Sequence, residues 1–106
     1  MSKKDKGKHF SEQYPDINAA LTNLRQTCEK GKHFDEKISM LVKLAVAVGA
    51  GFENTVKAHT AKALKMGIPE EQIEEVILIN LVTIGYSQAV AALNWVHEVT
   101  GKSPFQ

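Results

Sequence analysis

Phe52-Glu-Asn-Thr-Val-Lys-Ala-His-Thr-Ala-Lys-Ala-Leu-Lys-Met-Gly-Ile-Pro-Glu-Glu-Gln-Ile-Glu-Glu-Val76 reads as one helix, a stop, and the opening of a second helix. On a 100° wheel, Glu53, Lys57 and Lys65 mark a wet face, while Phe52, Thr55, Val56, His59, Ala63 and Met66 fall on the other. Gly67 ends the pattern, and Ile68-Pro69-Glu70-Glu71 places proline and acids where a helix begins. The spacing therefore predicts a helix over about 52–66 and another over about 69–84. In the second, Ile73, Val76, Ile77, Leu81 and Ile84 make one stripe, and Leu78, Ile79 and Val82 cover the opposite side. A helix apolar nearly all round is buried on more than one face, which in so short a chain calls for a neighbouring subunit.

The same punctuation continues outward. Upstream, Gly49-Ala50-Gly51 breaks a helix that starts near Phe34-Asp35-Glu36, with Ile38, Leu41, Val42, Ala45 and Val46 as its expected buried face. Before it, Tyr14-Pro15-Asp16 opens a helix running to about Lys30, with a stripe of Ile17, Ala20, Leu21, Leu24 and Cys28 and a stop at Gly31. On this reading Cys28 is a small core residue. Downstream, Gly85 separates a last helix over about 87–100, with Ala89, Ala92, Leu93, Val96 and Val99 inward and Gly101 and Pro104 beyond its end. No strand-like alternation occurs. The fold class is all-α, a bundle of about five to six helices.

With 106 residues, 43% hydrophobic and 24% charged, the chain has the balance of one ordinary globular domain, expected over residues 10–106 behind a flexible basic tail at 1–9. A formal net charge of +1 provides no field to draw it to nucleic acid or an anionic membrane. No apolar run reaches spanning length, and the N-terminal lysines precede no apolar segment, so neither a membrane anchor nor a secretory signal is expected and the location is read as cytoplasmic. Cys28 is the single cysteine, which rules out an intrachain disulfide and any CxxC centre. His9, His33, His59 and His97 are scattered, with no HxxxH or HxxE grouping on one helical face, so no metal is expected. No cofactor motif appears.

Three groups stand out chemically. His59 lies on an apolar face, where an imidazole is hydrogen-bonded or pays about 1–3 kcal/mol in desolvation; it is either a satisfied core residue or a general acid–base group in a pocket, since only histidine titrates unperturbed near neutral pH. Asn80 sits within the stripe of its helix and needs partners for its amide. Tyr86, Asn94 and His97 belong to the last helix, with Tyr86 and His97 flanking its apolar stripe, and are weaker candidates. Glu53 and Lys57 form an i,i+4 pair. Glu53 is about 120° round the wheel from His59 and cannot be its partner within the helix.

The quoted segment resembles the carboxymuconolactone decarboxylase and alkylhydroperoxidase-D-like superfamily, and the resemblance extends from Tyr14-Pro15-Asp16 through Phe34-Asp-Glu-Lys37 and Leu44-Ala-Val-Ala47 to the last helix. It implies an all-helical, alkylhydroperoxidase-D-like subunit assembled as a trimer or hexamer with sites near subunit contacts. The redox branch of that group carries CxxC, a histidine four residues later, and an upstream glutamate. Laid on this chain these fall at Phe52, Thr55, His59 and Met40, so only the histidine survives. Thiol peroxidase chemistry needs a thiolate and a resolving thiol, and Phe and Thr supply neither.

The decarboxylase branch lacks CxxC but keeps a histidine at the place of His59 and a glutamate near Glu53. This chain departs from it at Gly85-Tyr86-Ser87, where that branch has a Gly-Leu-Pro-like corner, and in having Arg25 as its sole arginine. Lys57 or Lys43 would replace the missing arginines as less directional point charges. The resemblance implies a lyase acting on a small carboxylated lactone or related acid. His59 is then the proton donor, Asn80 or Tyr86 holds the oxyanion, and Glu53, Thr55 and Lys57 are the substrate-binding candidates. The alternative is an oligomeric scaffold or ligand-binding protein that has lost the redox site. A peroxidase dependent on Cys28 is a third reading.

Overall fold

The structure, a computed structural model, describes residues 9–31 and 33–105. Apart from His9, the tail expected at 1–9 lies outside the described residues. Those residues form seven helices: α1 (His9–Gln13), α2 (Pro15–Cys28), α3 (Glu36–Ala50), α4 (Glu53–Lys65), α5 (Glu70–Leu78), α6 (Leu81–Ile84) and α7 (Tyr86–Thr100). The chain divides into two compact units, Met1–His33 and Phe34–Gln106. None of the helices is long and apolar enough to cross a membrane.

Local chemistry sets most boundaries. Asp35 is extended, and its Oδ1 accepts the Ile38 N–H at 2.8 Å, closing the N-terminus of α3. Gly51, at φ 73°, takes the left-handed conformation that turns the chain out of α3. Pro69, just before α5, has no N–H to leave unpaired.

The helix expected over 69–84 is two helices. Asn80 is responsible: its Nδ2 donates to the Val76 carbonyl at 2.7 Å, and its own N–H reaches only three residues back, to Ile77, at 3.1 Å. A short amide side chain competing for the carbonyls of the preceding turn offers the backbone an alternative to helix, and here the ladder gives way. The short α1 accounts for the other addition to the expected count.

In the second unit the core is a single cluster. Leu44 and Val48 of α3, Val56 and Ala63 of α4, Ile73 and Ile77 of α5, and Ala89, Ala92 and Val96 of α7 meet with Ile68 from the turn before α5. Each fully buried Val, Leu or Ile contributes about 1.5–3 kcal/mol relative to exposure. The face of α3 is a correction. Met40, Leu44, Ala47 and Val48 point inward, whereas Ile38, Val42 and Val46 of the expected stripe are exposed and Leu41 and Ala45 are only partly covered. The helix is apolar on both sides, so periodicity alone offered two faces, and packing on α4 and α5 chose the other.

The first unit holds a second correction. No residue of α2 is buried; Ile17, Leu21 and Leu24 are exposed, and so is the Cys28 thiol. The stripe exists, and nothing within its own unit buries it. Within this unit Phe10 and Tyr14 pack ring against ring at 5.2 Å.

Candidate functional site

The bend between α3 and α4 builds the site. Gln88 on α7 donates through Nε2 to the carbonyls of Val48 and Gly49, both at 2.8 Å, tying α7 to the end of α3. The Phe52 N–H returns to the Ala47 carbonyl at 3.0 Å. This reversal lays the start of α4 beside the second half of α3. Thr55 and His59, one turn apart on α4, then share a face. With Val42, Lys43, Val46 and Ala47 of α3 and the Phe52 side chain they line an open cavity of about 300 Å³. Its walls are mostly hydrocarbon, and its polar groups come from His59, Thr55 and Lys43. His59 is half-buried, while Phe52 forms an exposed rim.

The other sequence candidates lie elsewhere in the subunit. The Lys57 ammonium is 2.6 Å from Glu53 Oε2 and also contacts Glu98 of α7. Hydrogen bonds donated to these two carboxylates, Glu53 foremost, raise the Lys57 ammonium above its ordinary pKa. Glu53 and Lys57 thus join α4 to α7 and do not line the His59 cavity. The Asn80 amide is committed to the Val76 carbonyl, and Tyr86 stands exposed at the start of α7. Of the six candidates, one subunit brings together His59 and Thr55. Met40, at the place of the redox branch's glutamate, belongs to the core.

A second polar group was largely missed by sequence reasoning. His97 is buried on α7, and its Nε2 is 2.9 Å from Glu74 Oε2 on α5. The Lys102 ammonium reaches Glu74 Oε2 at 3.2 Å and Glu70 Oε1 at 2.8 Å. Burial pushes the Glu74 carboxyl up, but hydrogen bonds from His97 and Lys102 outweigh it and leave the group below its ordinary value. Hydrogen bonds to Glu70 and then Glu74 hold the Lys102 ammonium above its own. The signal available in sequence was the position of His97 beside the apolar stripe of the last helix. Its carboxylate partner is 23 residues away, beyond any local spacing rule.

Comparison with known proteins gives two findings. The sequence model of the carboxymuconolactone decarboxylase family matches residues 15–98. An uncharacterized protein of Methanocaldococcus jannaschii is 34% identical over 87 residues, covering 82% of this chain and 81% of its own.

Proposed function

Since the chain belongs to the carboxymuconolactone decarboxylase family, we propose that it is a lyase acting on a small carboxylated lactone or related acid, with His59 as the general acid. The observation that carries this reading is the cavity in which His59, Thr55 and Lys43 are the polar groups in a hydrocarbon wall. Such a setting suits a substrate with a compact organic body and a charged end. In the reaction the bond between the ring carbon and the departing carboxylate breaks, and its electron pair stays on carbon, delocalised to the lactone carbonyl as a dienolate. CO2 leaves. The His59 imidazolium then gives its proton to carbon and regains one from solvent.

Lys43 serves this scheme best beside the dienolate oxygen, because an ammonium on the departing carboxylate would stabilise the ground state and slow its loss. Thr55 offers a hydroxyl on the same wall. Asn80 and Tyr86, the oxyanion donors expected from sequence, enter only if a second copy brings them to the cavity. We include that assembly, a homo-trimer or hexamer, in the proposal: Val42, Val46 and Phe52 are at once walls of the cavity and exposed surface.

The test is CO2 release from a carboxylated lactone by purified protein. His59→Gln is expected to lower kcat/KM by about 10²–10⁴ with the helical circular dichroism unchanged. Equal turnover by the variant overturns the assignment of His59. The openness of the cavity and the scarcity of donors within one subunit favour a second reading, a ligand-binding protein without turnover. Saturable binding of the same lactone with no CO2 release would establish that one instead.

A further inference from the structure

Where α7 ends, the chain folds back along the helices it has just built. Gly101, at φ 87°, takes the left-handed conformation, and its N–H and that of Lys102 both return to the His97 carbonyl, at 2.8 and 3.1 Å. Residues 101–105, Gly-Lys-Ser-Pro-Phe, are all exposed and lie as a strap against α5 and α7. The reaction proposed above makes no use of this part of the molecule.

The strap is held at its two ends. At one, the Lys102 ammonium stands 2.8 Å from Glu70 Oε1 and 3.2 Å from Glu74 Oε2, both on α5. At the other, Asn94 of α7 clasps the main chain of Phe105. The Phe105 N–H donates to Asn94 Oδ1 at 2.7 Å, and Asn94 Nδ2 donates to the Phe105 carbonyl at 3.3 Å. The Phe105 ring packs on the ring of buried His97 with centroids 5.1 Å apart. Between these anchors lies a cavity of about 330 Å³, walled by Glu74 and Leu78 of α5, by Leu93 and His97 of α7, and by the strap itself. Phe105 is 51% exposed and leaves that cavity unfilled.

We propose that this face of α5 and α7 is a docking site for an extended peptide segment carrying a lysine and, three residues later, an aromatic residue, and that the strap is its built-in competitor. Main-chain hydrogen bonds give a bound peptide affinity, and pockets for its side chains give selectivity. Both are present here, with the chain's own segment showing how they are used. The Asn94 amide reads only backbone, so any extended chain satisfies it. The carboxylates of Glu70 and Glu74 select the cation, and the His97 ring, flanked by Leu78 and Leu93, selects the aromatic side chain. Tethered at Gly101, the strap competes at an effective concentration of about millimolar. Few apolar contacts hold it, so it belongs to the part of the fold that opens at low cost. An incoming segment that seats its ring within the cavity gains contacts that Phe105 does not make.

The probe is acetyl-Gly-Lys-Ser-Pro-Phe-amide, the strap as a free peptide, titrated into the full-length protein and followed by NMR through the His97 ring and Leu93 methyl resonances. Phe105→Ala removes the competing ring from within the chain, and its exposed position leaves the core untouched. Saturable binding to Phe105→Ala is expected, at least tenfold tighter than to the wild type, where the strap competes. Adding Asn94→Ala to that variant is expected to weaken binding at least tenfold. Alanine in place of either the lysine or the phenylalanine of the peptide is expected to do the same, and these two peptides keep the test sound if the double variant folds poorly. No saturable binding to Phe105→Ala, equal affinity of that variant and the wild type, or undiminished binding of either alanine peptide overturns the proposal.

Discussion

Glu74 shows how much one side chain decides. Its carboxylate receives a buried imidazole and a lysine at the same oxygen, and it is itself largely covered. Because its folded pKa lies below the ordinary value of 4.5, ionisation stabilises the fold at pH values above the unfolded pKa. That contribution disappears as pH falls through the folded value. Hydrogen bonds to charged groups are worth about 1.5–3 kcal/mol, and glutamine retains part of them. Glu74→Gln is therefore expected to destabilise the protein by about 1–2 kcal/mol at pH 7, read from urea denaturation. The gap to wild type should begin to narrow as pH falls past the ordinary value of 4.5 and close below the lower folded pKa, where both side chains are neutral. A difference constant from pH 7 down to pH 3 would mean that charge is not what Glu74 contributes.

At the scale of the element, stops were easier to read than faces. Asp35, Gly51, Gly67 and Gly101 act through their own backbone or through a neighbour within one turn, so a single sequence discloses them. Asp35→Ala removes the acceptor for the Ile38 N–H, and a loss of about 0.5–2 kcal/mol in thermal or urea unfolding is expected, with Asp35→Ser restoring most of it. The inward face of α3 was not legible, because Leu44 and Val48 lie on one side of an equally apolar helix and Val42 and Val46 on the other. Leu44 is fully buried, so Leu44→Ala should cost about 2–5 kcal/mol. A smaller loss than that of Val42→Ala, measured at the same protein concentration, would reverse the assignment of faces. The interruption at Asn80 was also hidden, since an amide within an apolar stripe gives no sign whether it will bond its own helix or another. His59 and Thr55 were legible as one face of one helix. What completes their cavity comes from α3, and no spacing within α4 could announce it.

For the whole molecule the open question is what covers the apolar surface that one subunit leaves bare. On α3, Ile38, Val42 and Val46 follow one another at single-turn spacing on the outer face, and Val46 is 67% exposed. Around the corner from α5 to α7, Leu78, Ile79 and Tyr86 are exposed and Val82 is 93% so. Scattered apolar residues on a surface need no explanation, but whole helix faces of this kind mark interaction sites. Self-association answers this economically, because contact on the outer face of α3 would also roof the His59 cavity and exclude water from it, strengthening the electrostatics on which a proton transfer depends. Light scattering coupled to size exclusion should then give three or six times the 11.7 kDa subunit mass. Val46→Glu places a charge on that face without disturbing the subunit core, so it should lower the mass towards that of one subunit while the helical circular dichroism stays intact. Lactone turnover should fall as well, both because the opened cavity is flooded and because the new carboxylate stands in the wall of that cavity. A wild-type protein that elutes as a single subunit removes the assembly from the proposal. An unchanged mass for Val46→Glu moves the interface to the α5–α7 corner, where Val82→Glu should then do what Val46→Glu did not.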